Sequence, residues 1–141
     1  MKTEILKQKY EKYNLTRDDV FKHQHYIIIT RSGIEKIQAI ENISIHYDIV
    51  TCETNFAAVK AIASILIGAN DFEDAREITT QTFGSALKGN SFKDGNTNTW
   101  YVLEMAEKRA MSRAVLKLTG FYKLGVFGED EAEDFKNSNN K

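Results

Sequence analysis

The chain has 141 residues, 42% hydrophobic and 28% charged, which suits one soluble globular domain with enough apolar material for a single core. Its longest apolar run, 57–67, is broken by Lys60 and Ser64, so no membrane-spanning segment is expected, and the charged start MKTEILKQKYEKY lacks the apolar centre of a secretory signal. The formal net charge of −1 excludes a globally basic nucleic-acid binder, yet without the five acids and two lysines of 129–141 the rest carries 17 cations against 15 anions.

Thr3 to Tyr13 reads as a short helix with Ile5, Leu6, Tyr10 and Tyr13 on one side. Thr16 followed by Asp19 resembles a helix cap before Val20 and Phe21. YIIIT at 26–30 is a short β-rich run, and Ser32-Gly-Ile-Glu35 fits a capping box opening a second helix through Ile34, Ile37 and Ile40, with Asn42 closing it. Ile43 to Thr51 alternates as a half-buried strand does: Ile43, Ile45, Tyr47 and Ile49 one way, Ser44, His46 and Asp48 the other. Phe56 to Ile67, nearly all apolar, suits a central strand. Gly68-Ala-Asn-Asp supplies turn residues, and Glu77 to Phe83 has the β-branched content of a third strand. Short connections favour an antiparallel meander. A long Gly/Asn/Ser/Lys loop, Gly84 to Thr99, follows, of a length that is often functional or mobile. A helix from Trp100 to about Thr119 then closes the core, and the acidic end reads as disordered or frayed.

That last helix carries two rows. Val102, Ala106, Ala110, Ala114 and Leu118 form a stripe of mostly small residues that allows close packing against a sheet. Arg109, Arg113 and Lys117 form a second row, drifting about 40° per step and so sharing one side. No carboxylate stands three or four residues from any of the three, whereas Glu104 and Lys108 are spaced to pair. Like charges so placed repel by roughly 0.2–0.5 kcal/mol per pair. Such a row is either a solvated face, a partner for acids elsewhere, or a grip for an external anion.

The order helix, three-strand meander, loop and long Ala-rich basic helix resembles the single-strand annealing proteins of the Rad-fifty-two superfamily, whose phage members assist recombination. Three stretches carry the likeness: Arg31 opening TRSGIEKI, the strand-ending Gln81-Thr82-Phe83-Gly84, and MAEKRAMSRAVLKLTG leading to Gly120-Phe121. It covers about residues 26 to 128. The family's mid-helix basic pair is here Ser112-Arg113, so one cation is absent. The resemblance implies a homo-oligomeric ring or filament holding single-stranded DNA in a basic groove, without ATP. No Gly-x-x-x-x-Gly-Lys-[Ser/Thr] pattern is present.

A single-strand groove needs cations for phosphates and flat side chains for bases. The candidate cations are Arg31, Lys36, Lys60, Lys108, Arg109, Arg113 and Lys117, with Lys88 and Lys93 on the loop. The candidate stackers are Tyr26 and Trp100, with Phe92 and Tyr101 beside them. His23 and His25 lack a nearby third metal ligand in sequence, so no metal or cofactor is expected. No catalytic constellation stands out. A metal-dependent nuclease would require the fold to gather Glu53, Glu77, Glu104 and Lys60. Cys52 is alone, which suits a reducing compartment such as the cytoplasm of a bacterial or phage-infected cell.

The expectation is therefore an α+β chain: a helical segment at 1–25, an annealing-like core at 26–128 built as a three- to four-stranded antiparallel meander on a long C-terminal helix, and an acidic tail at 129–141. The expected function is non-catalytic binding and annealing of single-stranded DNA. A protecting protein without annealing activity, a nuclease, and a structural or host-interaction protein are the alternatives. The tail is either a solubilising end, a competitor of DNA for the cations, or a dock for a protein partner through Phe135.

Overall fold

The computed structural model describes residues 2–68, 76–90 and 94–130. Part of the Gly68–Asp71 turn, together with Phe92, Lys93 and the tail from 131 onward, lies outside the described residues. The architecture is α+β: α1 (Lys2–Lys12), β1 (Val20–His23), β2 (Tyr26–Ile29), α2 (Arg31–Glu41), β3 (Ser44–Cys52), β4 (Phe56–Ile67), β5 (Arg76–Leu87), α3 (Val102–Leu118) and β6 (Val126–Gly128). Among the described residues, no helix is long and apolar enough to cross a membrane.

The expected meander is present as an antiparallel sheet ordered β3-β4-β5. The YIIIT run does not join it. It pairs instead with β1 in a hairpin and with β6 in parallel, giving a second three-stranded sheet. The boundary expected after residue 25 thus falls in the turn of the β1–β2 hairpin. Leu6 and Tyr13, from the expected helical segment, are buried in the same core as the meander residues Val59 and Ala61.

β4 alternates along its length, with Ala57, Val59, Ala61, Ala63 and Ile65 buried under α3. On the helix, Val102, Ala106, Ala110 and Ala114 are buried, so the small-residue stripe is the packing face. Close contact is needed most at Gly84 of β5. A Cβ placed there would lie 2.2 Å from the carbonyl oxygen of Ala106 and 2.5 Å from the nitrogen of Ala110. The neighbouring Thr82 donates its hydroxyl to the carbonyl oxygen of Ala110 at 2.7 Å. This adds a buried polar contact to the small-residue stretch of the strand–helix interface. Lys9 of α1 donates to the carbonyl oxygen of Thr119 and lies over the Phe121 ring, placing a cation at the negative end of α3.

Four local expectations change. Thr16 and Asp19 do not cap a helix. The Asp19 carboxylate accepts from the Thr16 nitrogen and hydroxyl in a turn, and β1 follows. The N-cap of α2 is Thr30, not Ser32: its extended backbone and hydroxyl meet the Gly33 nitrogen, and Ser32 falls inside the first turn. Asn42 does end α2, in the left-handed conformation. β3 slips register between Ile49 and Thr51, and Ile49 is 61% exposed because α3 lies mainly over β4 and β5. Finally, β5 continues to Leu87, so the long loop begins four residues later than its glycine suggested.

Candidate nucleic-acid interface

Beyond β5 the chain turns back on itself. Lys88 forms an isolated bridge with Thr97, and Asn96 accepts the Leu87 nitrogen on Oδ1 while donating Nδ2 to the Ser85 carbonyl oxygen. Gly89 and Gly95 meet backbone to backbone. A Cβ on Gly95 would lie 2.3 Å from the Leu87 carbonyl oxygen. Residues 94–99 are therefore docked on the end of β5 and are not a free loop.

The docking is completed by Arg109, which is 2% exposed. Its Nη1 donates to the Ser85 carbonyl oxygen at 2.9 Å and its Nη2 to the Asn96 carbonyl oxygen at 2.8 Å. The planar guanidinium spans two segments that no single point donor would join. Arg113 donates through Nη1 to the Phe83 carbonyl oxygen at 2.7 Å, again at β5, and Lys117 is exposed one turn further on. The three cations thus run from the core to the solvent. They do not form one open row. Two of the three, Arg109 and Arg113, reach main-chain carbonyls of β5.

A cleft of about 690 Å³ opens beside this clamp. It brings together three sequence candidates, Arg31 from the first turn of α2 and Lys108 and Arg109 from α3. Residues 95–99 form a polar wall, and Glu129 and Asp130 a further side. Next to that wall stand Trp100 and Tyr101, 63% and 72% exposed. Lys88 sits 4.8 Å from the centre of the Trp100 ring, a cation–π contact. Large aromatics left this open beside cations are the components that stack a base and hold its phosphate.

The remaining candidates lie elsewhere and have local partners. Lys36 bonds Asp19 at 2.7 Å and the Asn14 carbonyl oxygen, tying α2 to the turn before β1. Lys60 faces Asp48 across β3 and β4 at 3.9 Å. Tyr26 packs edge-on against Phe127. Among the described residues, no three His, Cys, Asp or Glu side chains cluster as a metal site requires.

Two anionic residues in the cleft have roles that the sequence did not reveal. Glu129 Oε1 accepts the Arg31 backbone nitrogen at 3.3 Å, and Asp130 Oδ2 accepts the Ser112 hydroxyl at 3.3 Å. Burial pushes the Asp130 carboxyl above its ordinary range, while the positive fields of Arg109 and Arg31 and the Ser112 hydroxyl pull the other way. Ser112, at the position where the resemblance lacks a cation, is buried and holds this acid. No family model, curated protein or solved structure matches the chain.

Proposed function

We propose that the chain binds single-stranded DNA and anneals complementary strands, as a self-assembling, ATP-independent, non-catalytic mediator of phage-type recombination or replication in the bacterial cytoplasm. One observation carries this reading: the exposed Trp100–Tyr101 pair with Lys88 on the tryptophan ring, beside a cleft lined by Arg31 and Lys108. In this arrangement a base stacks on Trp100, and the backbone phosphates meet Lys88, Lys108 and the Arg31 guanidinium. Arg109 positions the wall that carries Trp100 and takes no part as a surface cation.

A few phosphate contacts per copy give weak binding with a modest salt slope, about −0.7 per phosphate on a single strand. Self-assembly along the strand multiplies that affinity without new contacts, as linked sites do. Gripping mostly the phosphates leaves most bases free to find a partner strand.

The test is fluorescence anisotropy of a labelled oligonucleotide across a salt series, comparing the natural chain with Lys88→Glu/Lys108→Glu. Neither lysine belongs to the core, so both proteins should melt alike. The expected result is salt-dependent binding at low ionic strength, weakened roughly tenfold or more by the double reversal. Absence of binding at low salt, or affinity unmoved by the substitutions, overturns the reading. Charge reversal at Arg109 would not serve, because it would unseat the clamp.

A further inference from the structure

The cleft already holds anions, and they belong to the chain itself. β6 pairs in parallel with β2, Ile29 opposite Gly128, which anchors the segment entering the cleft. Gly128 passes close between α2 and α3: a Cβ there would lie 3.0 Å from the Ser112 Cβ and 3.2 Å from the Ile34 Cδ1. The next two residues are Glu129 and Asp130. The first accepts the N–H of Arg31, an end-of-helix donor that α2 cannot satisfy internally, and the second accepts the Ser112 hydroxyl. Arg31 and Arg109 both act on the Asp130 charge.

Carboxylate and phosphate oxygens compete for the same donors: helix-end N–H groups, hydroxyls and guanidinium groups. Resting on the single-strand reading above, we propose that Glu129 and Asp130 occupy phosphate positions of the cleft, so that the chain's own acidic segment and a bound DNA strand exclude one another. Three features make it a competitor and not a permanent plug. Both hydrogen bonds are 3.3 Å long, at the weak end for N–H and O–H donors. Asp130 is half-buried, and that burial pushes its carboxyl above the ordinary range despite the positive fields of Arg109 and Arg31. The anchor at β6 keeps the two acids at high local concentration, so they re-enter when the strand leaves. Binding is thereby confined to strands long enough, or copies numerous enough, to outcompete them.

The test measures the affinity of a labelled single strand for three proteins at fixed salt: the natural chain, Glu129→Gln/Asp130→Asn, and Glu4→Gln/Glu11→Gln. The last makes the same charge change on exposed positions of α1. Gln and Asn keep an acceptor oxygen at each site, and thermal melts of the three proteins should agree. The expected result is binding tightened about fivefold or more by the cleft substitutions, the lower end of typical site-to-site coupling. The α1 pair should change affinity by less than about twofold, since exposed charges are screened. If the natural chain binds and both variants bind alike, the competition is overturned while the single-strand reading stands. If none of the three binds, the single-strand reading fails and the competition falls with it.

Discussion

Arg109 of α3 donates through Nη2 to the carbonyl oxygen of Asn96 at 2.8 Å, and so ties the core helix to the segment that presents Trp100. The other arm of the same guanidinium holds the Ser85 carbonyl oxygen at the end of β5. One buried side chain thereby sets where the wall of the cleft stands.

Replacing Arg109 by Met keeps much of its volume but leaves those carbonyls without their charged donor. Destabilisation of about 2–4 kcal/mol is expected in urea unfolding, the scale for lost charged hydrogen bonds with stranded partners. Arg109→Lys should recover less than half of it, because an ammonium cannot span both carbonyls as a planar fork does. Equal stability of Arg109→Lys and the natural chain would contradict the clamp.

Gly84→Ala places a methyl group against the Ala106 carbonyl oxygen and Ala110 nitrogen, main-chain atoms that can give way only if α3 moves. The expected cost is about 1–3 kcal/mol, as for other overpacked cores, seen as a lower thermal midpoint. The displacement should also loosen the wall at Asn96, so amide exchange at 95–99 should quicken.

Asp19 gives the fold an acid-sensitive point. It is buried, which by itself would raise its pKa, but Lys36 at 2.7 Å and the Thr16 donors overcome this and hold it below the usual carboxylate value. A carboxyl with a depressed folded pKa contributes stability that is present above its unfolded value and lost as pH falls through the folded one. Stability should therefore decline with acidification below about pH 4, the ordinary carboxylate range. Asp19→Asn should be less stable at neutral pH and show a shallower decline. The pH dependence of urea midpoints for the two proteins measures this. Parallel curves would remove Asp19 from the account.

Trp100 is the sole tryptophan, so its emission reports on the proposed interface directly. Titration with an unlabelled single strand should quench it. Trp100→Ala should weaken binding by roughly 5- to 150-fold, the span that corresponds to 1–3 kcal/mol of base stacking. Emission unchanged at saturating DNA would place the strand elsewhere.

Much of the fold was legible because it rests on local periodicity. The 3.6-residue stripe of Val102, Ala106, Ala110 and Ala114 announced α3, and the alternation at Ser44–Cys52 announced β3. The second sheet was not legible. β1 and β6 are four and three residues long, and β6 reaches β2 across nearly a hundred residues, a pairing that no local pattern marks. At the candidate site, Trp100 and Lys108 were visible as residue types, and Arg31 through the resemblance. The role of Arg109 was hidden for a definite reason. The partners that make the clamp are main-chain carbonyls, and every residue carries one, so an arginine with no acid at helical spacing in the sequence looks the same whether it waits for an external anion or clamps a loop. The same applies to Arg113 and the Phe83 carbonyl oxygen. Glu129 and Asp130 were read as part of a tail, because nothing in the sequence shows that β6 delivers them to the start of α2.

The central claim is that strands are held by their phosphates while bases stay free to pair. It is tested most directly by mixing complementary labelled strands with the protein, without nucleotide cofactor, and following duplex formation by energy transfer at low salt. Acceleration over the protein-free rate is expected, reduced by Lys88→Glu/Lys108→Glu and raised by Glu129→Gln/Asp130→Asn. Pairing that is slowed, or that proceeds at the protein-free rate, would contradict it.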